Sequence, residues 1–282
     1  MLLELAIGDA YGAGFEYANA QLIRQFNTAQ GYVQHPRHST HPGQYTDDTQ
    51  MSIAIAEVIV AGQPWTPENL AASFVTCFKR DPREGYAGRF YDFLLHVEDG
   101  AQFLAEIIPT SDKSGAAMRA APIGVFSTIE EVISRATLQA KLTHDTPDGI
   151  LAAVASALTT HYCLYKLGTL TELPAFLETR APGRRWSDPW RGKVGAKGWM
   201  SVQAAVTALV RNQSLSALLK DCINFGGDVD TVATIALAAA SCSAEYTHDL
   251  PSALIDGLEN GSYGRDYLRE LDSRLLATVK AL

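Results

Sequence analysis

Cysteine is sparse in this chain of 282 residues, and the four present, Cys77, Cys163, Cys222 and Cys242, stand far apart with neither a C-x-x-C pair nor a zinc-finger spacing. That argues against a disulfide framework and against a structural zinc site, and reduced thiols in a cytoplasmic protein are expected. Positive charge is also in deficit: 23 Lys and Arg face 31 Asp and Glu, a formal net charge of -8. Gripping a nucleic-acid backbone relies on Lys and Arg displacing phosphate counterions, so nucleic acid is disfavoured as a partner except as a modified substrate. Small molecules or proteins fit better. The opening stretch MLLELAIGDAYG has no basic lead and meets Asp9 after a few apolar residues, too short for a membrane span and wrongly flanked for a secretory signal. It reads as the first helix of the fold, and no membrane partner is expected. Hairpin signals are scarce as well, since Asp99-Gly100 and Asp148-Gly149 border helical patterns instead of alternating ones.

What is present is helix. Apolar residues make up 47% of the chain and charged residues 19%, ordinary values for a globular protein of this size, and a single monomeric domain over residues 1–282 is expected. Apolar side chains recur at helical spacing over residues 51–61, 151–167, 202–210 and 232–240, and these stretches are rich in alanine, the strongest helix former. The fold class predicted is therefore all-α. Two segments, 53–60 and 232–240, are apolar nearly all the way round, the pattern of a helix buried at the centre of a protein. Irregular stretches are expected over 27–45, 79–88 and 180–198, where Gly, Pro, His and Arg accumulate.

The chemistry is concentrated where those two buried helices begin. Tyr45-Thr46-Asp47-Asp48-Thr49 precedes the first, and Gly226-Gly227-Asp228-Val229-Asp230-Thr231 precedes the second. A single such cluster reads as helix capping, because Thr and Asp accept hydrogen bonds from free backbone N–H groups and suit the positive end of the helix dipole. Two clusters, each with a pair of carboxylates, exceed what capping needs. Adjacent buried anions cost several kcal/mol per ion unless compensated, and a hard divalent cation compensates them. Mg²⁺ and Mn²⁺ take oxygen ligands of this kind, whereas the lack of Cys or His inside either motif argues against zinc.

Further short motifs stand in order along the chain: Gly8-Asp-Ala-Tyr-Gly12 followed by Glu16, then Thr46-Asp-Asp-Thr49, Gly115-Ala-Ala-Met-Arg119, Thr143-His144 and Gly227-Asp-Val-Asp-Thr231. In order and spacing they resemble the ADP-ribosylglycohydrolase family, over residues 6 to 240 or so. The resemblance implies a compact orthogonal helical bundle with a central dimetal cleft. It assigns Thr46, Asp47, Asp48, Asp228, Asp230 and Thr231 as ligands of two divalent ions, Mg²⁺ or Mn²⁺. Glu16 matches a glutamate on a mobile segment beside the metals, and Glu16 or Asp47 is the expected proton-transfer group. Ser114, Gly115 and Ala116 match a loop whose backbone receives the diphosphate or adjoining ribose, and His144 matches a histidine near the ligand.

The activity so implied is hydrolysis of the glycosidic bond between ADP-ribose and an acceptor on a protein or small molecule, with an arginine side chain the first choice. The alternatives are an ADP-ribosylated nucleobase or metabolite, or a non-catalytic, crystallin-like binder of the same fold. The chain departs from the family pattern at Lys113-Ser114-Gly115, where Gly-Asn-Gly is common, at Val229 between the two aspartates, and at Asp145 and Thr146. None of these removes a carboxylate. Asp9 is expected to be structural, bonding backbone where turns at Gly8 and Gly12 pack. His35, His38 and His41, in a Pro-containing loop, read as solvated rather than metal-binding. The segment 180–199 reads either as a packed loop or as a contact for an anionic or planar partner through Arg184, Trp186 and Trp190, and Asp81 and Glu84 as solvated or facing the leaving group.

Overall fold

The computed structural model describes residues 1–37 and 39–279, so His38 lies outside the described residues. Among them there are fifteen α-helices and two short 3-10 turns, with only isolated β-bridges in place of strands. The periodic segments form helices, each beginning earlier than its apolar pattern does: Asp47–Val60, Pro147–Leu164, Gly198–Arg211 and Val229–Ala240. Polar residues at the first turns account for the difference in Asp47–Val60 and Val229–Ala240. The irregular stretches fall as expected, between helices ending at Phe26, Arg80 and Arg180 and the next ones. Among the described residues no helix is long and apolar enough to cross a membrane.

Helix Val229–Ala240 is buried at every residue and packs most extensively against the first helix, Leu2–Ala13. Helices Asp47–Val60, Pro147–Leu164 and Gly198–Arg211 surround that pair. Each buried Leu, Ile or Phe in such a core contributes about 1.5–3 kcal/mol of transfer free energy. The central pair approaches backbone to backbone. Gly8 and Gly12 lie inside helix Leu2–Ala13 and not in turns, correcting the reading of the sequence; their missing side chains let the helix touch its neighbour. A Cβ on Gly8 would stand 2.7 Å from the Ala233 carbonyl oxygen, and one on Gly12 would stand 2.8 Å from the Asp230 nitrogen. Gly12 thus seats the very turn that carries Asp230.

Because the atoms in the way are backbone, neither helix yields by a rotamer change. Gly12→Ala is expected to destabilise the fold by about 3 kcal/mol, toward the upper part of the range for overpacked cores, and to lower Tm by roughly 5 °C. Thermal melts beside Gly31→Ala, where an added Cβ meets nothing within 4 Å, check this; equal melting temperatures would refute the close-packing account.

Candidate active site

The N-terminus of helix Asp47–Val60 is capped from another helix. Asp9, fully buried, accepts hydrogen bonds from the Thr46 and Thr49 backbone nitrogens (2.9 and 3.0 Å) and from both their hydroxyls (2.6 Å each). Those four donors leave its carboxylate satisfied. Burial still lifts its pKa above the ordinary value, with Thr46 and Thr49 acting the other way. With Asp9 serving as cap, Thr46 makes no cap bond of its own, and Asp47 and Asp48 are free to face the cleft. Their position at the start of the helix is held by the loop before helix Gly88–His96: the Asp47 nitrogen bonds the Glu84 carbonyl (3.1 Å), and the Asp47 carboxylate lies against Gly85. Arg83 fastens that loop by pairing with Asp81 and Glu259 while stacking 4.0 Å over the Tyr45 ring.

Asp228 and Asp230 reach the same cleft from the start of helix Val229–Ala240. The chain arrives there through Gly226 and Gly227, both at positive φ (69° and 91°), a conformation that a side chain resists. Gly227 is pinned on both sides: its carbonyl accepts from the Tyr17 nitrogen at 2.8 Å, and the next residue's nitrogen, at Asp228, donates to the Val194 carbonyl at 3.1 Å. Ser201 donates to Asp228 at 3.0 Å, and the Thr231 nitrogen donates to Asp230 at 3.0 Å. Glu16 comes in on the segment after the first helix, half-buried, and one carboxylate oxygen from each of Glu16, Asp228 and Asp230 lies within 4.8 Å of the others.

The electrostatics of this cluster are those of a site awaiting positive charge. Among the described residues none of Glu16, Asp47, Asp48, Asp228 and Asp230 forms an ion pair with Lys or Arg. The Asp48 Oδ1 atom is buried with no hydrogen-bond partner. Burial raises Asp47 and Asp48 well above the usual carboxylate range, with Asp9 adding to it. Burial and then Glu16 do the same to Asp230. Burial, Asp228 and Asp9 push Glu16 up to about 7. Such a set of hard oxygen donors suits a divalent cation of the Mg²⁺ or Mn²⁺ kind.

Beyond the carboxylates the cleft continues to a volume of about 640 Å³, enough for a nucleotide-sized ligand. One wall is polar and built on the short helix Gly115–Met118, with Ser114 and Gly115 facing the space beside Thr143 and His144. Phe90, Phe93, Ile107 and Ile108 form an apolar wall, and Tyr17 and Arg89 also line the space.

Of the residues singled out in the sequence, Glu16, Asp47, Asp48, Ser114, Gly115, His144, Asp228, Asp230 and Thr231 line this one cleft, whereas Thr46 and Ala116 stand behind it, both buried. Glu16, read as a proton-transfer residue, sits inside the tightest carboxylate group. Sequence reasoning missed Ser201, Gly85 and the apolar wall; no local pattern marks them, although Tyr17 was adjacent to a residue already chosen. His35 is not solvated: it is 3% exposed, its Nδ1 accepts from the Arg37 nitrogen (3.1 Å), and its Nε2 lies 2.9 Å from the Glu16 carbonyl, which braces the segment bearing Glu16. His41 is exposed. Asp81 is held by Arg83, and Glu84 is exposed outside the cleft. In segment 180–199 the packed alternative holds, because Trp186 is buried and Arg184 lies 3.4 Å over the Trp199 ring.

Fold and site together define an all-α protein whose central helices open their N-termini onto a buried carboxylate cleft fit for divalent cations. The family model described as ADP-ribosylglycohydrolase matches residues 1–281, and the chain belongs to that family. It is 24% identical to ADP-ribosyl-[dinitrogen reductase] glycohydrolase of Rhodospirillum rubrum, over 97% of this chain and 93% of that protein. It is 27% identical to the ADP-ribosylhydrolase ARH3 of Bos taurus, over 70% of this chain and 69% of that protein. A solved structure described as an ADP-ribosylglycohydrolase-related protein complex superposes with a TM-score of 0.77 at 22% identity, covering 99% of this chain and 96% of that one, so the fold is that of the family.

Proposed function

We propose that the chain is a divalent-metal-dependent hydrolase that cleaves the glycosidic bond between ADP-ribose and an acceptor, with ADP-ribosylated arginine on a protein as the first candidate substrate. The observation that carries this is the convergence of Glu16, Asp228 and Asp230 within 4.8 Å, with Asp47 and Asp48 in the same cleft and, among the described residues, no Lys or Arg paired to any of them. Family membership supports the ADP-ribose half of the substrate. The relatives named for dinitrogen reductase and for ADP-ribosyl hydrolysis support the reaction type.

In this reading Thr46, Asp47, Asp48, Asp228, Asp230 and Thr231 hold two ions, with Thr46 contributing from behind while its hydroxyl proton is given to Asp9. The bound ions supply positive charge for the anionic cluster and Lewis-acid polarisation at the ribose. The chain's own residues do the rest. The turn at Ser114 and Gly115 receives the diphosphate, since a glycine lets phosphate approach the backbone closely, and Phe90, Phe93, Ile107 and Ile108 offer a surface for the planar base. Glu16, one of the three converging carboxylates, takes a proton from the attacking water and returns it to the leaving group. One water is consumed: its oxygen bonds the anomeric carbon, the bond to the acceptor breaks, and free ADP-ribose and the protonated acceptor leave.

Release of free ADP-ribose from arginine-, serine- and nucleic-acid-linked substrates, with Mg²⁺, Mn²⁺ or chelator, tests this. Metal-dependent release, greatest on the arginine-linked substrate, is expected. A folded, metal-loaded protein that releases none from any of them would sink the hydrolase reading, and release only from the serine or nucleic-acid substrate would move the acceptor assignment.

A further inference from the structure

Arg119 is 1% exposed and has no carboxylate within ion-pair distance among the described residues. Its guanidinium stacks 4.5 Å over the Phe74 ring, its Nε donates to Gln139 Oε1 (2.7 Å), and its Nη2 donates to the Gln139 carbonyl (3.2 Å) and the Thr143 hydroxyl (2.8 Å). Gln139 in turn donates to the Ala116 carbonyl at 3.0 Å, which ties Arg119 to the turn that carries Gly115. A buried arginine costs several kcal/mol in desolvation unless its donors are used, so this one is built into the site for a purpose beyond packing.

The purpose is visible one bond further. The Thr143 oxygen lies 2.7 Å from His144 Nδ1. A guanidinium is a donor only, so the Thr143 oxygen accepts from Arg119 and has its single proton left to give. Among the described residues the Thr143 hydroxyl has no hydrogen-bond neighbour besides Arg119 and Nδ1, so Nδ1 is the protein acceptor open to that proton. Nδ1 therefore accepts, and in the neutral ring the proton sits on Nε2. That Nε2 atom is buried, has no hydrogen-bond partner among the described residues, and belongs to a residue 6% exposed that lines the cleft. A Cβ on Gly115 would stand 3.4 Å from it, so it borders the space that the glycine leaves open.

We propose that Arg119 and Thr143 are positioning residues that lock His144 in its Nε2–H tautomer, making it a fixed neutral donor to a ligand oxygen seated against Gly115. His144 is then a binding residue and not a proton carrier. The ligand half of this inference rests on the reading of the cleft as an ADP-ribose site; the tautomer half does not. Burial and the neighbouring Arg119 keep the ring neutral, with its pKa pushed down to about 3 and Asp112 opposing weakly.

Two measurements on the full chain separate the halves. Nitrogen-15 NMR of histidine-labelled, ligand-free protein at pH 7 reads the tautomer, and calorimetry with free ADP-ribose reads binding. The wild type is expected to show Nε2 protonated and Nδ1 bare. Thr143→Val removes that preference and weakens ADP-ribose binding about 10-fold, Thr143→Ser restores both, and His144→Leu weakens binding at least as much as Thr143→Val. Nδ1 protonated in the wild type, or a tautomer and affinity unchanged in Thr143→Val, would overturn the proposal. Should Thr143→Val fail to fold, the wild-type spectrum alone decides the tautomer. A protein with the Nε2–H tautomer that binds no ADP-ribose overturns the ligand assignment and leaves the relay standing; one that binds ADP-ribose with the other tautomer overturns the relay alone.

Discussion

Asp228→Ala is expected to fold, to lose high-affinity Mg²⁺ or Mn²⁺ binding, and to release ADP-ribose at least about 10³-fold more slowly than the wild type. Asp228 is one of the three carboxylates whose oxygens lie within 4.8 Å, and Ser201 holds it at 3.0 Å. Metal catalysis supplies several kcal/mol of transition-state stabilisation, and each 1.36 kcal/mol is a factor of ten in rate, which sets the size of the loss. This carboxylate makes no cap bond for its helix, and removing it lessens the charge pressing on Glu16, Asp47, Asp48 and Asp230 while leaving the Ser201 hydroxyl without its acceptor, so the metal-free variant should melt close to the metal-free wild type. Asp47→Ala, acting from the other helix, should lose activity to a similar degree. Calorimetric metal titration beside an ADP-ribose release assay reads both effects; activity within tenfold of wild type in the two variants would remove the carboxylate cluster from the reaction.

The metal-free wild type should melt several degrees higher at pH 6.5 than at pH 8, and millimolar Mg²⁺ or Mn²⁺ should close most of that gap. The direction follows from linkage. Burial raises Glu16 from 4.5 to about 7 and lifts Asp47, Asp48, Asp228 and Asp230 above their ordinary values, with neighbouring carboxylates adding to it for all but Asp228. The folded state therefore holds more protons than the unfolded one over the interval from the unfolded carboxylate values to these raised ones, and stability falls as pH rises through it. For Glu16 the penalty is absent below about 4.5 and complete above about 7. His144 works oppositely: its lowered pKa costs stability as pH falls through 6.5, where the unfolded ring is half protonated, and the cost grows at lower pH, which is why the comparison goes no lower than that value. Divalent ions bind the ionised carboxylates and stabilise most at pH 8, by about 2.7 kcal/mol at a hundred times Kd. Melts at the two pH values with chelator and with metal check this; a metal-free Tm that rises with pH over this interval would contradict the buried-anion account.

Much of this protein could be read from local pattern. Helical periodicity at 51–61 and 232–240 marked the two buried helices, and the pairs Asp47-Asp48 and Asp228-Asp230 stood at their starts in plain view. Patterns of that sort are local, because a helix repeats every 3.6 residues and its cap lies within one turn. The order of the short motifs then carried the family, and the whole-chain match bears that out. The reading failed where partners are distant in sequence. Gly8 and Gly12 looked like turn residues because glycine usually marks turns, yet they sit in a helix whose neighbour begins more than 200 residues later. His35 looked solvated because its loop is polar, yet it holds the Glu16 carbonyl.

The sequence by itself determined the helical class, the placing of acidic residues at two helix starts and the lack of Cys or His inside either acidic motif. Only the tertiary structure decided that Asp9 caps a foreign helix, that Glu16 joins Asp228 and Asp230, and that Arg119 bonds the Thr143 hydroxyl that sits beside His144. The physical reason is that propensity and capping act over a few bonds, whereas desolvation and charge repulsion depend on everything packed around a side chain. A carboxylate becomes a site only when its neighbours have removed the water and left it no counter-charge.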